Sequence, residues 1–282
     1  MEVIESGPKL RAHLDDVRMA GRSVGFVPTM GALHDGHLSL MRRAREETDV
    51  VAISIFVNPL QFGDAGDLAN YPRLLERDLR LAENAGVDVV FTPDEAEMYP
   101  NGDPEVTVHA GPIGGRLEGA ARAGHFDGVA TVVAKLFNLA GPCTAYFGQK
   151  DAQQLALIRR LALDLDAPVT IVGCETVREP DGLAMSSRNL RLSDEQRAAA
   201  PCLYRALAYA ERLAGEGERD ANVLKAEMAK RIGAEPLAKL DYVAIVDDAT
   251  FEEVPEVSGP SRALVAARFG EIRLIDNLAL PH

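Results

Sequence analysis

Short β-branched runs alternate with amphipathic stretches through the first two-thirds of the chain, and few architectures accept that alternation. SVGFV (23–27), VVAISIFV (50–57), DVVFTP (88–93), TAYFG (144–148) and VTIVGC (169–174) predict strands. They are apolar on both faces, as in a parallel sheet covered by helices. Helical patterns fill the intervals at 38–47, 71–85, 126–139 and 151–165. The second stops before Gly86 and the third before Gly141-Pro142, as C-terminal caps do. In the last, Leu155, Ile158, Leu161 and Leu165 form one stripe. Strand and helix in turn predict a doubly wound, Rossmann-like α/β domain over residues 1–175.

After about residue 175 the texture changes. The loop TVREPDGLAMSSRN leads to Ser193, an N-cap for one long alanine-rich helix to about residue 213. A glycine-acid linker (215–220) and a second helix to Ile232 follow. Runs 240–247, 262–269 and 271–277 predict short strands, the last two a hairpin around Gly270. Residues 176–282 are thus expected to form a smaller C-terminal α+β domain. There is no internal repeat and no low-complexity tract.

Thirty basic residues face 43 acidic ones in 282, a net charge of −13. Such a chain lacks the basic field that non-specific nucleic-acid binding requires. It has no apolar run of membrane-spanning length, and MEVIESGPKL has no signal-peptide character. The expectation is a cytoplasmic protein with neither nucleic acid nor membrane as partner. Cys143, Cys174 and Cys202 stand far apart with no C-x-x-C spacing, which predicts reduced thiols buried as small hydrophobes. An anionic substrate would be repelled by this chain unless a compact cationic island receives it.

Three segments could supply that island. PTMGALHDGH (28–37) lies where the 23–27 strand gives way to a helix expected to start at Leu38. Ligands of doubly wound sheets bind at the carboxyl ends of strands, and a helix N-terminus offers unpaired N–H groups to phosphate. Gly31 and Gly36 permit close backbone approach, and His34 and His37, one turn apart, can both donate to phosphate oxygens. Taken alone the pair is open to three readings: a phosphate site, a helix start without ligand, or a metal site. The last is weakened by the missing HExxH spacing and third ligand. In YFGQKDAQQL (146–155), Lys150 opens a helix where a cation opposes the dipole unless an anion is present. Gln153 and Gln154 could orient a polar substrate. DGLAMSSRN (181–189) supplies hydroxyls and the Arg188 guanidinium, a fork matched to phosphate. Convergence of His34, His37, Lys150 and Arg188 favours phosphate.

PTMGALHDGH, FVNPLQF (56–62), YPR (71–73), FGQKDAQQ (147–154) and REPDGLAMSSRN (178–189) closely resemble the pantothenate synthetase (pantoate–β-alanine ligase) family, in family order. SGPSRALVAARFGEIRLIDN in the C-terminal part also fits. His34-Asp35-Gly36-His37 is similar to the HxGH signature of adenylyl-transferring nucleotidyltransferases, and Met185-Ser186-Ser187-Arg188 to their KMSKS-type loop.

The resemblance implies ATP-dependent condensation of (R)-pantoate with β-alanine, through an enzyme-bound pantoyl adenylate, to pantothenate, AMP and pyrophosphate. It implies Mg²⁺ carried mainly by the nucleotide phosphates, no assigned protein metal ligand, a C-terminal lid domain and a homodimer. Its catalytic residues fall on His34, His37, Lys150, Ser186, Ser187 and Arg188. Its nucleotide contacts fall on Met30, Gly31, Ala32, Leu33, His34, Asp35, Gly36, His37, Gly148, Gln149, Lys150, Asp151, Val177, Met185, Ser186, Ser187 and Arg188. Pantoate contacts fall on Gln61 and Gln154, with Gln61 also near β-alanine, and Asn58, Tyr71 and Arg122 shape or close the site. Asp78 matches an acid tied only loosely to the metal. Gln149, Ala152 and Pro180 depart from the family's usual residues without removing a charged donor. The competing readings are another HxGH-superfamily nucleotidyltransferase and a non-enzymatic nucleotide sensor.

Overall fold

The computed structural model describes residues 1–63 and 65–282. The chain forms two compact units, one of Met1–Gln149 with Leu157–Glu175, the other of Lys150–Ala156 with Thr176–His282.

The first unit runs β1 (Glu2–Ile4), α1 (Gly7–Met19), β2 (Val24–Thr29), α2 (Asp35–Glu47), β3 (Val50–Ile55), α3 (Ala65–Ala69), α4 (Leu75–Asn84) and β4 (Val89–Phe91). It continues with α5 (Glu95–Met98), α6 (Gly111–Gly114), α7 (Leu117–Ala121), α8 (His125–Ala140), β5 (Cys143–Gly148), α9 (Ala152–Asp164) and β6 (Val169–Cys174). The first residues of α9 group with the second unit. Among the described residues the strands form a six-stranded sheet, order β1-β4-β3-β2-β5-β6, and every pairing is parallel. The doubly wound architecture expected from the sequence is therefore present. Beneath α2 and α4, Val27, Met41, Val51, Ile53, Ala82, Val90 and Tyr146 build one buried core.

Strand order reverses between β2 and β5. The chain steps outward from β2 through β3 to β4, then returns to lay β5 on the opposite side of β2. Among the described residues β2 and β5 pair at Gly25–Thr144 and Phe26–Ala145, low on both strands, whereas β2 and β3 stay paired from Val24–Val50 to Thr29–Ile55. The carboxyl ends of β2 and β5 thus diverge, which is the crevice of a topological switch point.

The second unit contains α10 (Asp194–Ala199), α11 (Cys202–Gly215), α12 (Ala221–Gly233), β7 (Ala238–Asp247), β8 (Ser261–Phe269) and β9 (Ile272–Leu280). Its strands make an antiparallel sheet, β7-β8-β9, and the hairpin turns at Gly270, whose φ is +59°. Leu203, Leu207, Leu224 and Met228 pack with Ile245, Val265 and Phe269 in its core.

Four local expectations change. A strand precedes the 23–27 run: β1 joins the sheet edge beside β4. With two of its three residues exposed, it carries no periodic signal. Helix α2 starts at Asp35, not Leu38, because His34 caps it. The 71–85 helix shrinks to Leu75–Asn84, since Pro72 biases the residue before it toward extended backbone. The single helix expected from Ser193 to 213 is two, divided at Pro201, which has no N–H to continue the ladder. Ser193 caps α10 as expected, in a capping box with Gln196. Among the described residues no helix is long and apolar enough to cross a membrane.

Candidate active site

The site in the first unit begins where β2 ends. The Thr29 hydroxyl donates to the Ser54 carbonyl at 2.7 Å and accepts from the Gly31 N–H at 3.1 Å, bending the chain out of the sheet. Gly31 (φ +78°) and Ala32 (φ +50°) are both left-handed. This turns consecutive N–H groups to one side, the geometry of an anion-holding nest. The nest is filled from within: Asp78 on α4, itself buried, accepts from Ala32 N at 2.8 Å and from Leu33 N at 2.9 Å. A Cβ on Gly31 would stand 2.9 Å from the Asp78 carboxylate and 3.1 Å from Ile55, so both space and φ require glycine.

The next residues form a capping box made of imidazoles. His34 is the N-cap of α2, in extended backbone, and its Nδ1 accepts from Gly36 N at 3.1 Å. His37 Nδ1 accepts from His34 N at 3.3 Å. The rings lie 4.1 Å apart at an interplanar angle of 44°. A ring nitrogen that accepts from a backbone N–H carries no proton, so in neutral imidazole the hydrogen is on Nε2. Both histidines are held as Nε2–H donors at the positive end of α2, beside the switch-point crevice.

A second cluster stands around the 3-10 turn Pro59–Gln61. Gly128 lets α8 press against this turn, because a Cβ there would fall 2.3 Å from the Leu60 carbonyl oxygen. Asn58 and Gln61 are buried. Arg122 Nη1 lies 3.0 Å from His125 Nε2, and His125 Nδ1 lies 2.8 Å from the Gln61 carbonyl. Tyr71 packs edge-on against Phe62, ring centres 5.7 Å apart.

In the second unit, Lys150 heads a segment tied to β9: Asn277 Nδ2 donates to the Lys150 carbonyl at 2.9 Å. Its ammonium lies 3.7 Å from Asp151. Lys150, Ser186, Asn189 and Asp276 line one small cavity of about 10 Å³. Asp276 binds Arg178 through two bonds of 2.7 and 3.0 Å, and Arg178 Nη1 also donates to the Gly182 carbonyl at 3.0 Å. Met185 N donates to the Val177 carbonyl at 3.0 Å, and Ser186 caps the 3-10 turn Ser187–Arg191. Arg197 reaches Asp181 at 2.6 Å and Glu179 at 2.5 Å. The loop carrying Met185, Ser186, Ser187 and Arg188 is thus pinned at several points. Gln154, which follows Lys150 in the same segment, belongs to the second unit, and Gln61 to the first. Gly148 ends β5, and Gln149 beyond it donates to the Gly173 carbonyl at 3.3 Å.

Cys202 is buried as expected, whereas Cys143 and Cys174 are only partly buried. Desolvation still pushes the Cys143 thiol up to about 12 and those of Cys174 and Cys202 up to about 11. None is a thiolate nucleophile near neutral pH. Among the described residues no group of three or more His, Cys, Asp or Glu could hold a metal ion. Asp78, loosely tied to a metal by the sequence resemblance, commits both oxygens to backbone donors. Sequence reasoning passed over Tyr99, His125, Arg178, Asp276 and Asn277. Arg178 opens REPDGLAMSSRN, and Asp276 and Asn277 end SGPSRALVAARFGEIRLIDN. Arg178 and Asp276 are 98 residues apart, however, so no local signal says that they meet.

The model of the family described as pantoate-beta-alanine ligase matches residues 2–279. A pantothenate synthetase of Heliobacterium modesticaldum is 54% identical over 280 residues, covering 99% of both chains. That of Brucella ovis is 50% identical over 283 residues, covering 100% of this chain and 96% of its own. The crystal structure of pantothenate synthetase from Thermus thermophilus superposes with a TM-score of 0.92 at 49% identity, covering 99% of each chain. The Francisella tularensis pantoate-beta-alanine ligase, crystallised with β-γ ATP and β-alanine, gives 0.80 at 34% identity over 99% of this chain and 97% of that one. With its sequence matched almost end to end and its fold shared, the chain belongs to the pantoate-beta-alanine ligase family.

Proposed function

We propose that the imidazole capping box of α2 and the Lys150 and Ser186–Arg188 segments serve one ATP molecule during adenylation of pantoate. The reaction is the ATP-dependent joining of (R)-pantoate and β-alanine to give pantothenate. In the first step a pantoate carboxylate oxygen attacks the α-phosphorus. The bond to the β-phosphate bridging oxygen breaks, and its electron pair leaves with pyrophosphate. Two anions meet, so catalysis comes from alignment and neutralisation. His34 and His37 donate through Nε2–H to phosphate oxygens as charge moves to the leaving group. Lys150, Ser186, Ser187 and Arg188 hold the phosphates. Met30, Gly31, Ala32, Leu33, Asp35 and Gly36, with Gly148, Gln149, Asp151, Val177 and Met185, complete the nucleotide contacts. Gly31, Ala32, Leu33 and Gly36 do so through atoms other than their internally bonded N–H groups. Gln61 and Gln154 orient pantoate, with Asn58, Tyr71 and Arg122 shaping the pocket. In the second step the β-alanine amine attacks the acyl carbon and AMP departs. AMP leaves readily, so no serine or cysteine needs to be acylated.

Magnesium fits as an ion brought by the nucleotide: among the described residues the donor set contains no cage for it, and Mg²⁺ commonly binds through substrate phosphates with few protein ligands. It would neutralise phosphate charge there. We further propose a cytoplasmic homodimer in which the second unit, Lys150–Ala156 with Thr176–His282 and not 176–282 alone, acts as the lid.

The observation that carries this reading is the tautomer lock at His34 and His37, two fixed donors at a helix N-terminus beside the switch point. Pyrophosphate exchange into ATP tests it. Exchange should require pantoate and not β-alanine, and it should be lost in His37→Ala. Exchange supported by other acids but not pantoate would point to another nucleotidyltransferase of the superfamily.

A further inference from the structure

We propose that Tyr99 is a positioning residue for the ligase reaction: through Asn58 it fixes the Gln61 amide so that the substrate meets an N–H donor and not a carbonyl oxygen. The inference rests on Gln61 being a pantoate contact.

One atom beside Asn58 has no choice of role. The Gly128 carbonyl can only accept, and it lies 3.1 Å from one end of the Asn58 amide, which must therefore be Nδ2. The other end, Oδ1, receives the Tyr99 hydroxyl at 2.7 Å. The second Nδ2 hydrogen goes to Gln61 at 3.1 Å, so the end of Gln61 facing Asn58 is Oε1. That leaves Nε2 as the outward end, 3.0 Å from the Met30 sulfur. A thioether is a weak acceptor, so a substrate carboxylate or hydroxyl oxygen can replace it at little cost. The Gln61 backbone is fixed in the same way. Its carbonyl takes the His125 Nδ1–H, which leaves His125 Nε2 to accept from Arg122.

Asn58, Gln61 and Tyr99 are all buried, so an orphaned oxygen in this chain would have no water to turn to. Burial, with Glu95 nearby, also pushes the Tyr99 phenol well above its ordinary range, so it remains a donor at all working pH values. Phe56 packs on the Tyr99 ring at 6.0 Å between centres and Lys135 stands 5.6 Å above it, contacts that a phenylalanine would keep.

The test compares Tyr99→Phe, Gln61→Ala and the double variant, with Gln61→Glu as a second probe of donor direction. Tyr99→Phe should raise the pantoate KM about tenfold, the loss expected for a buried hydrogen bond, with the ATP KM unchanged. In the Gln61→Ala background it should add nothing. Gln61→Glu, which turns an oxygen outward, should impair pantoate at least as much as Gln61→Ala. The relay is overturned if Gln61→Ala raises the pantoate KM while Tyr99→Phe does not. It is equally overturned if Tyr99→Phe shifts both KM values together, if the two effects add in full, or if Gln61→Glu takes pantoate as well as the parent. A Gln61→Ala enzyme with an unchanged pantoate KM would remove the contact itself, and the relay with it.

Discussion

Asp78 occupies the anion nest at the end of β2 with its own carboxylate, one oxygen to Ala32 N and the other to Leu33 N. An internal anion there leaves the next turn, with its two imidazoles, for the phosphate role proposed above. Asparagine at this position would offer one oxygen and one N–H₂, so a buried backbone donor would confront another donor. An unsatisfied buried polar group costs about 1–3 kcal/mol. Asp78→Asn should therefore lower the thermal midpoint and reduce pantoate-dependent pyrophosphate exchange by roughly tenfold or more, because a small displacement of His34 and His37 misaligns both donors. Excess Mg²⁺ should restore neither quantity. Recovery of exchange at high Mg²⁺ would mean that Asp78 acts on the metal and not on the loop.

At the scale of elements, what could be foreseen divides by whether a residue's partner is close in sequence. The central strands were legible because Val, Ile and Phe recur without polar interruption in 50–57 and 169–174. Ser193 was legible as a helix start because a cap acts within the first turn; its reciprocal partner Gln196 emerged only in the structure. β1 was not, since its place comes from pairing with β4 far along the chain. Likewise Tyr99 meets Asn58 41 residues away, and Lys150 is tied to Asn277 across 127. The loop before α10 shows the same division. Its serines and Arg188 stood out as candidate phosphate ligands, whereas its restraint by Arg197 depends on folded geometry. The hydrogen bond from Arg197 holds the Asp181 carboxyl below its ordinary value. A depressed carboxyl stabilises the fold above the unfolded value, near 4, and the contribution fades as pH falls through the folded one. Wild type and Arg197→Ala should thus differ fully in thermal midpoint above about pH 5, and the gap should narrow below about pH 4. A gap that stayed constant down to pH 3 would show that the ion pair contributes nothing.

Over the whole molecule the charge runs against the substrates, with 43 acids to 30 bases, while ATP and pantoate are anions. The two effects separate by distance. At low salt the field of the entire chain reaches an approaching nucleotide, since the Debye length is about 30 Å at 0.01 M and about 10 Å at 0.1 M. Near contact, the donors and cations proposed to hold the phosphates should dominate, because they are screened far less. Salt should therefore remove the distant repulsion before it weakens the local attraction. We expect kcat/KM for ATP to rise about twofold or more between 0.01 and 0.1 M KCl, at constant free Mg²⁺, and to level or fall toward 1 M. Lys150→Met should lower the whole curve while keeping the initial rise, because that rise belongs to the net charge and not to the pocket. A steady decline from the lowest salt would instead mean that the cationic site governs the approach from long range, and that the surrounding acids are arranged so as not to oppose it.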